Sequence, residues 1–212
     1  FRLHPHNIFS TYHSRRTNHD VLELVEQSLN LNLSGNQVRY RFQDSPILEG
    51  VTIHETFNSV IILVPTMSSI HRLTFSHPQQ EEELTDIQSL SIFADATLSS
   101  ARDSTTFHVI NTSPNLPHAA TSCLTSNKDA LFALALSSGA IMLVRLDPLS
   151  GIGTCSELRQ DSSSEDGGHY VSLTVHSASA PSDVFLFALT RDGLIRVWSC
   201  DRGVASIHRI TL

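Results

Sequence analysis

Phe185-Leu-Phe-Ala-Leu-Thr-Arg-Asp-Gly-Leu-Ile-Arg-Val-Trp198 aligns without gaps, at an offset of 54, with Leu131-Phe-Ala-Leu-Ala-Leu-Ser-Ser-Gly-Ala-Ile-Met-Leu-Val144. In each copy an apolar run reaches a short polar turn and returns as a second apolar run. Asp192-Gly193 marks a hairpin, because a two-residue primed turn needs positive φ and glycine adopts it at little cost. Ser138-Gly139 marks the same turn in the other copy. The run before each turn is apolar at successive positions, the pattern of a strand covered on both faces by neighbouring sheets. A weaker third copy runs from Val60-Ile-Ile-Leu-Val64 through Ser68-Ser69 to Ile70-His-Arg-Leu73.

Outward from these copies, short strands recur. Ala119–Leu124, Leu131–Leu136, Ala140–Leu146 and Ser156–Gln160 form one set of four. His169–His176, Val184–Thr190, Leu194–Ser199 and Val204–Leu212 form another. Upstream, Leu48–His54, Val60–Val64, Ile70–Phe75 and Thr106–Ile110 form a third. Val38, Tyr40 and Phe42 alternate with Arg39, Arg41 and Gln43 across 36–43, which is a half-buried strand. Sets of four strands repeating along a chain predict an all-β fold, a partial β-propeller of about three four-stranded, WD40-like blades. The blades are expected at 48–110, 117–160 and 169–212, with strand 36–43 completing a further blade and residues 1–19 forming a flexible arm. Three blades are too few to close, so the segment reads as the N-terminal part of a larger propeller; an irregular β-sandwich is the competing architecture. Trp198-Ser199 stands where a regular WD repeat has Trp-Asp, and no Gly-His pair occurs.

Between 77 and 104 the strand rhythm breaks. Ile87, Leu90, Phe93 and Ala94 are spaced by three and four, which predicts a short helical insertion capped by Thr85 or Asp86. Ile87, Leu90, Phe93 and Leu98 could contact a partner or pack inward, and inward packing is the simpler reading.

Composition narrows function by exclusion. The chain has 212 residues, 40% hydrophobic and 17% charged, with formal net charge −7. Lys128 is its only lysine, and no basic cluster exists to release counterions from a phosphate backbone, so direct nucleic-acid binding is not expected. No apolar run is long enough to insert in a membrane as a helix. Cys123, Cys155 and Cys200 are odd in number and lack Cys-x-x-Cys spacing, which argues against a disulfide framework or a zinc knuckle. The polar start, without a signal core or initiator Met, reads as a piece of something longer and makes Asn32-Leu33-Ser34 and Asn111-Thr112-Ser113 chance glycan-acceptor matches.

No enzymatic constellation emerges. A P-loop, His-Glu-x-x-His and Gly-x-Ser-x-Gly are missing. Gly151-Ile-Gly153 is loop chemistry, and His54-Glu55 lacks a second histidine at ligand spacing. His4, His6, His13 and His19 are scattered through the polar arm rather than spaced as ligands. No catalysis, cofactor, metal or small-molecule substrate is therefore expected. Ser162-Ser-Ser-Glu-Asp166 matches an acidophilic-kinase pattern, and phosphates there would add charge to an already acidic loop.

Several stretches carry a resemblance in collinear order. They are Asp20-Val-Leu-Glu-Leu-Val-Glu-Gln-Ser-Leu29, Asn36-Gln-Val-Arg-Tyr-Arg-Phe-Gln-Asp-Ser-Pro-Ile-Leu48, Gly50-Val-Thr-Ile-His-Glu-Thr56, Ile70-His-Arg-Leu-Thr-Phe-Ser-His-Pro78, Ser91-Ile-Phe-Ala-Asp-Ala96 and Phe185–Ser199. Together, from about Asp20 onward, they resemble the propeller of the nucleoporin-120/160 family. That resemblance implies a non-enzymatic scaffold subunit of the Y-shaped outer-ring complex of the nuclear pore, at the nuclear envelope. It implies other nucleoporins of that complex as partners and a role in pore assembly and nucleocytoplasmic transport, including mRNA export. In that family the propeller leads into an α-helical solenoid. The alternative function is a generic propeller adaptor that binds peptide or protein partners; an enzyme built on a propeller is a third class, and it would require a convergent acidic or histidine site.

Overall fold

A computed structural model describes residues 11–28, 37–42, 45–57, 59–76, 93, 105–108, 115–149, 151–158, 169–177, 184–200 and 208–210. Among them every regular element is a strand, and all strands lie in antiparallel sheets. β1 (Thr11–Asn18), β2 (Val21–Ser28) and β3 (Gln37–Arg41) form a three-stranded sheet. β4 (Thr52–Glu55), β5 (Ser59–Pro65), β6 (Ser69–Ser76) and β7 (Thr105–His108) form a four-stranded sheet in sequence order. β8 (Pro117–Leu124), β9 (Ala130–Leu136), β10 (Ile141–Leu146) and β11 (Gly153–Leu158) form the next, and β12 (Tyr170–Ser177), β13 (Val184–Thr190), β14 (Ile195–Ser199) and β15 (His208–Ile210) the last.

Two features differ from the sequence expectation. Residues 11–18, expected to lie in a flexible arm, form β1, in register with β2 from Thr11↔Ser28 to Asn18↔Val21. Strand 36–43 is not a lone completing strand: its 37–41 portion is β3, paired to β2 with Leu22 opposite Tyr40 and Leu24 opposite Val38. β1 escapes a reading by alternation because Thr11-Tyr-His-Ser-Arg-Arg-Thr-Asn18 has no apolar period of two; the ladder to β2 holds it in place. The helical insertion expected within 77–104 lies outside the described residues except for Phe93.

The chain divides into two compact units, one of residues 1–47, 55–61 and 73–104 and the other of 48–54, 62–72 and 105–212. In the first, Leu22 and Leu24 are fully buried on one face of β2. The opposite face is solvated and charged: Arg39 pairs with Glu23 at 2.8 Å, and Arg41 with Asp20 at 3.0 Å. An aromatic series, Tyr40 to Phe75 at 6.3 Å and Phe75 to Phe93 at 5.4 Å, builds this unit's core.

In the second unit the sheets β8–β11 and β12–β15 pack face to face. Leu131, Ala133, Ala135, Ile141 and Leu143 meet Leu173, Leu186, Ala188, Trp198 and Tyr170 in one cluster. The ring of Trp198 stands edge-on to Tyr170 at 5.9 Å, and Arg196 donates to the Tyr170 hydroxyl at 3.1 Å. β9 is buried at every position, so its sheet is covered on both faces. Burial of this kind contributes roughly 1.5–3 kcal/mol for each large aliphatic side chain.

Candidate interaction surfaces

The β9–β10 and β13–β14 hairpin turns are built alike, from residues the sequence marks. In β9–β10 the Leu136 N–H donates to Ala140 O and the Gly139 N–H to Leu136 O. In β13–β14 the Thr190 N–H donates to Leu194 O and the Gly193 N–H to Thr190 O. Each loop therefore has three residues rather than two: a turn whose last residue is left-handed, at φ 80° for Gly139 and 84° for Gly193. The two-residue primed turn expected from Asp192-Gly193 is corrected accordingly. Asp192 does not have positive φ; its carboxyl lies beside the Thr190 hydroxyl, which holds it below the usual aspartate range. The β8–β9 turn repeats the pattern, with Thr125 bonded to Asp129 and Lys128 bonded back to Thr125, but the left-handed residue is Lys128 itself, at φ 66°.

A threonine at the end of the leading strand closes three hairpins, two of them with two-residue loops, at 56–59 and 66–69. Thr66 Oγ1 donates to Ser69 O at 2.7 Å and accepts from Ser69 N at 3.0 Å. Thr56 does the same with Ser59, and Thr190 with Leu194. The recurrence of Thr-x-x-Ser at 56–59 and 66–69 is visible in the sequence.

Adjacent sheets of the second unit are tied by polar seams. Gly50, at φ 94°, crosses β8 so closely that a Cβ there would lie 2.4 Å from Ala120 O. The Ser122 hydroxyl donates to Gly50 O at 2.7 Å, so Thr52 Oγ1, at 2.8 Å, must donate to Ser122 Oγ. Thr52 Oγ1 then accepts from His54 Nε2 at 2.9 Å. The chain of bonds runs one way and requires a proton on His54 Nε2; burial lowers its pKa and so favours the neutral ring. His118 Nε2 donates to Tyr170 O at 2.7 Å, and Arg145 spans from Asp129, at 3.5 Å, to Cys200 O, at 3.3 Å. His118 and Arg145 thus join sheets; among the described residues no group of three could hold a metal ion.

Among the described residues, some large apolar side chains are exposed. Phe57, 98% exposed, caps the Thr56–Ser59 turn, and Leu149, 95% exposed, and Ile152, 65% exposed, flank the β10–β11 turn. On the last sheet, register places Phe185, Phe187, Leu189, Ile195 and Val197 on one face, opposite the face packed against β8–β11. Phe187 there is 36% exposed, and Phe185, Leu189 and Ile195 are half-buried. Phe93 is buried against Phe75, so it serves the core rather than a partner. Ile87, Leu90, Leu98 and the Ser162–Ser164 loop lie outside the described residues.

The family described as nucleoporin Nup120/160, beta-propeller domain, matches residues 12–209. Nuclear pore complex protein Nup160 of Mus musculus is 39% identical over 209 residues, 87% of this chain and 15% of its own length. The Homo sapiens protein of that name is 35% identical over 87% of this chain, and the Drosophila melanogaster Nup160 homolog 33% over 91%. The chain thus spans about one-seventh of the curated relatives it matches. Among solved structures, a Lactobacillus plantarum protein aligns with a TM-score of 0.52 at 12% identity, covering 94% of this chain and 52% of that one. The Chaetomium thermophilum Nup170 N-terminal domain, solved with Nup53, aligns at 0.51 and 11% identity, covering 97% and 28%. At such identities the likeness shows the fold alone.

Proposed function

We propose, on the premise that this chain belongs to the nucleoporin Nup120/160 β-propeller family, that it serves as a non-enzymatic scaffold segment of the nuclear pore complex. More narrowly, it would act within the Y-shaped outer-ring subcomplex, with other nucleoporins of that complex as partners. Through pore assembly it would support nucleocytoplasmic transport, including mRNA export. The match along 12–209 carries the reading. Its physical counterpart, among the described residues, is a set of buried polar groups that join sheets, together with exposed apolar side chains such as Phe57, Leu149 and Phe187.

As the N-terminal part of a larger propeller, the segment would present its last sheet to a further blade. At the repeat offset of 54, Phe185, Phe187, Leu189, Ile195 and Val197 correspond to Leu131, Ala133, Ala135, Ile141 and Leu143. The latter five pack against the following sheet. The former five stand ready for the same use, and covering them adds roughly 25 cal/mol for each Å² of apolar surface removed from water.

The test is complementation. Cells depleted of their own family member receive the parental protein, either unchanged or with Phe187→Asp and Leu189→Asp. The unchanged protein should restore pore assembly and clear polyadenylated RNA from the nucleus, and the variant should do neither. Normal incorporation of the variant at the nuclear rim would overturn the further-blade reading. Failure of the unchanged protein to reach pores would overturn the scaffold reading.

A further inference from the structure

Lys128 is the single lysine among the 14 Lys and Arg residues of the chain. Arginine carries its charge without acting as an acyl acceptor, whereas the lysine ε-amine is the side-chain nitrogen that takes acyl groups and protein modifiers. The segment thus holds almost all its positive charge in a form that resists acylation and leaves one position open to it. That position is also conformationally costly. Lys128 closes the β8–β9 turn at φ 66°, where the β9–β10 and β13–β14 turns have Gly139 and Gly193. Glycine adopts such a backbone at little cost, so the turn itself gives no reason for a lysine. Backbone strain kept where the fold does not need it points to a use for the side chain.

The surroundings agree. Ser126, Asn127 and Lys128 are exposed in succession and make up the whole loop between Thr125 and Asp129. The adjoining carboxylate of Asp129 is engaged by Arg145 at 3.5 Å, and among the described residues no ion pair draws on Lys128. We infer that Lys128 is the acceptor for a small protein modifier delivered as a C-terminal thioester on a conjugating enzyme. The amine adds to the thioester carbonyl, and the C–N bond of an isopeptide forms as the C–S bond breaks. The ammonium gives up one proton to the departing sulfur and one to solvent. The turn decides the class of donor. Cross-turn bonds of 2.9 Å, from the Thr125 N–H to Asp129 O and from the Lys128 N–H to Thr125 O, hold the loop folded. An acyltransferase that draws an extended lysine segment into a channel would have to break them, whereas a thioester presented on a protein surface needs only a protruding amine. The inference goes beyond the scaffold reading and does not depend on it.

The parental protein is expressed in cells with the proteasome and deconjugating enzymes inhibited, purified under denaturing conditions and cleaved with trypsin. A blocked Lys128 leaves 103–145 as one peptide. The expected result is a diglycine remnant on Lys128, absent from Lys128→Arg and from Lys128→Gly. The glycine variant is also expected to be more stable in urea, so misfolding does not account for the loss. In parallel, the 212-residue chain is incubated with activating and conjugating enzymes, ubiquitin and ATP. Moving the single amine to a sheet face, in Lys128→Gly with Arg39→Lys, should slow conjugation roughly tenfold, because loop tips are the accessible sites. An unmodified Lys128 in cells, a short acyl group there in place of diglycine, or equal rates for the tip and face amines would overturn the inference.

Discussion

Gly193 and Lys128 occupy the same place in the same turn, so exchanging their residue types should move stability in opposite directions. Both are the left-handed closing residue of a three-residue loop, at φ 84° and 66°. No atom lies within 4 Å of where a Cβ on Gly193 would sit, so Gly193→Ala meets no neighbour and its cost is backbone strain, partly offset by the unfolded-chain entropy that alanine removes. A non-glycine L-residue in this region costs about 1–2 kcal/mol. Gly193→Val should cost more, because β-branching crowds the left-handed backbone further. Lys128→Gly recovers the same strain but frees the unfolded chain, which returns about 0.4–1 kcal/mol. The net gain is about 0.5–1 kcal/mol. Urea unfolding of the three variants, monitored by Trp198 fluorescence, should give midpoints ordered Lys128→Gly, wild type, Gly193→Ala, Gly193→Val, with m-values unchanged. A neutral Gly193→Ala, or a Lys128→Gly that loses stability, would refute the assignment of these turns.

Gly50→Ala adds an encounter with the Ala120 carbonyl to the same kind of strain and should cost about 3–4 kcal/mol, read as a lowered urea midpoint. Burial lowers the His54 pKa in the fold, so its contribution is present above the unfolded value of 6.5 and is lost as pH falls from there towards its depressed folded pKa. His54→Gln should flatten that acid limb in a stability-against-pH series. Burial pushes the Cys123 thiol up to about 12 and Cys200 to about 11, from 9.0. The stability tied to them is complete below pH 9.0 and is lost as pH rises towards those values. A mass-spectrometric maleimide count at pH 8 should read one thiol on the native chain and three after denaturation.

The core hairpins were legible because their pattern is local and repeated. Leu131–Val144 and Phe185–Trp198 announce two strands and a turn by apolar runs around glycine, and the structure places β9–β10 and β13–β14 there. Less legible was whatever depends on a partner strand. β1 has no period of its own, and Gly153 has little strand character, so β11 begins earlier than the expected Ser156. The turn length was misjudged because Asp192-Gly193 suggests two residues, whereas the Thr190 clamp on Leu194 draws Arg191 into the loop. The sheet seams could not be foreseen either. Gly50, Thr52, His54 and Ser122 are ordinary strand residues until folding brings positions about 70 apart within hydrogen-bond reach.

The left-handed closing residue of the β8–β9 turn is also the chain's sole lysine, and it is solvent-exposed. Every side-chain amine chemistry directed at this segment, whether acylation, reductive methylation or ester-based distance mapping, must converge on that one hairpin tip. Such reagents will report a single vantage point for some two hundred residues, so neighbours of the other sheets are better mapped through carboxylates or through thiols installed for the purpose.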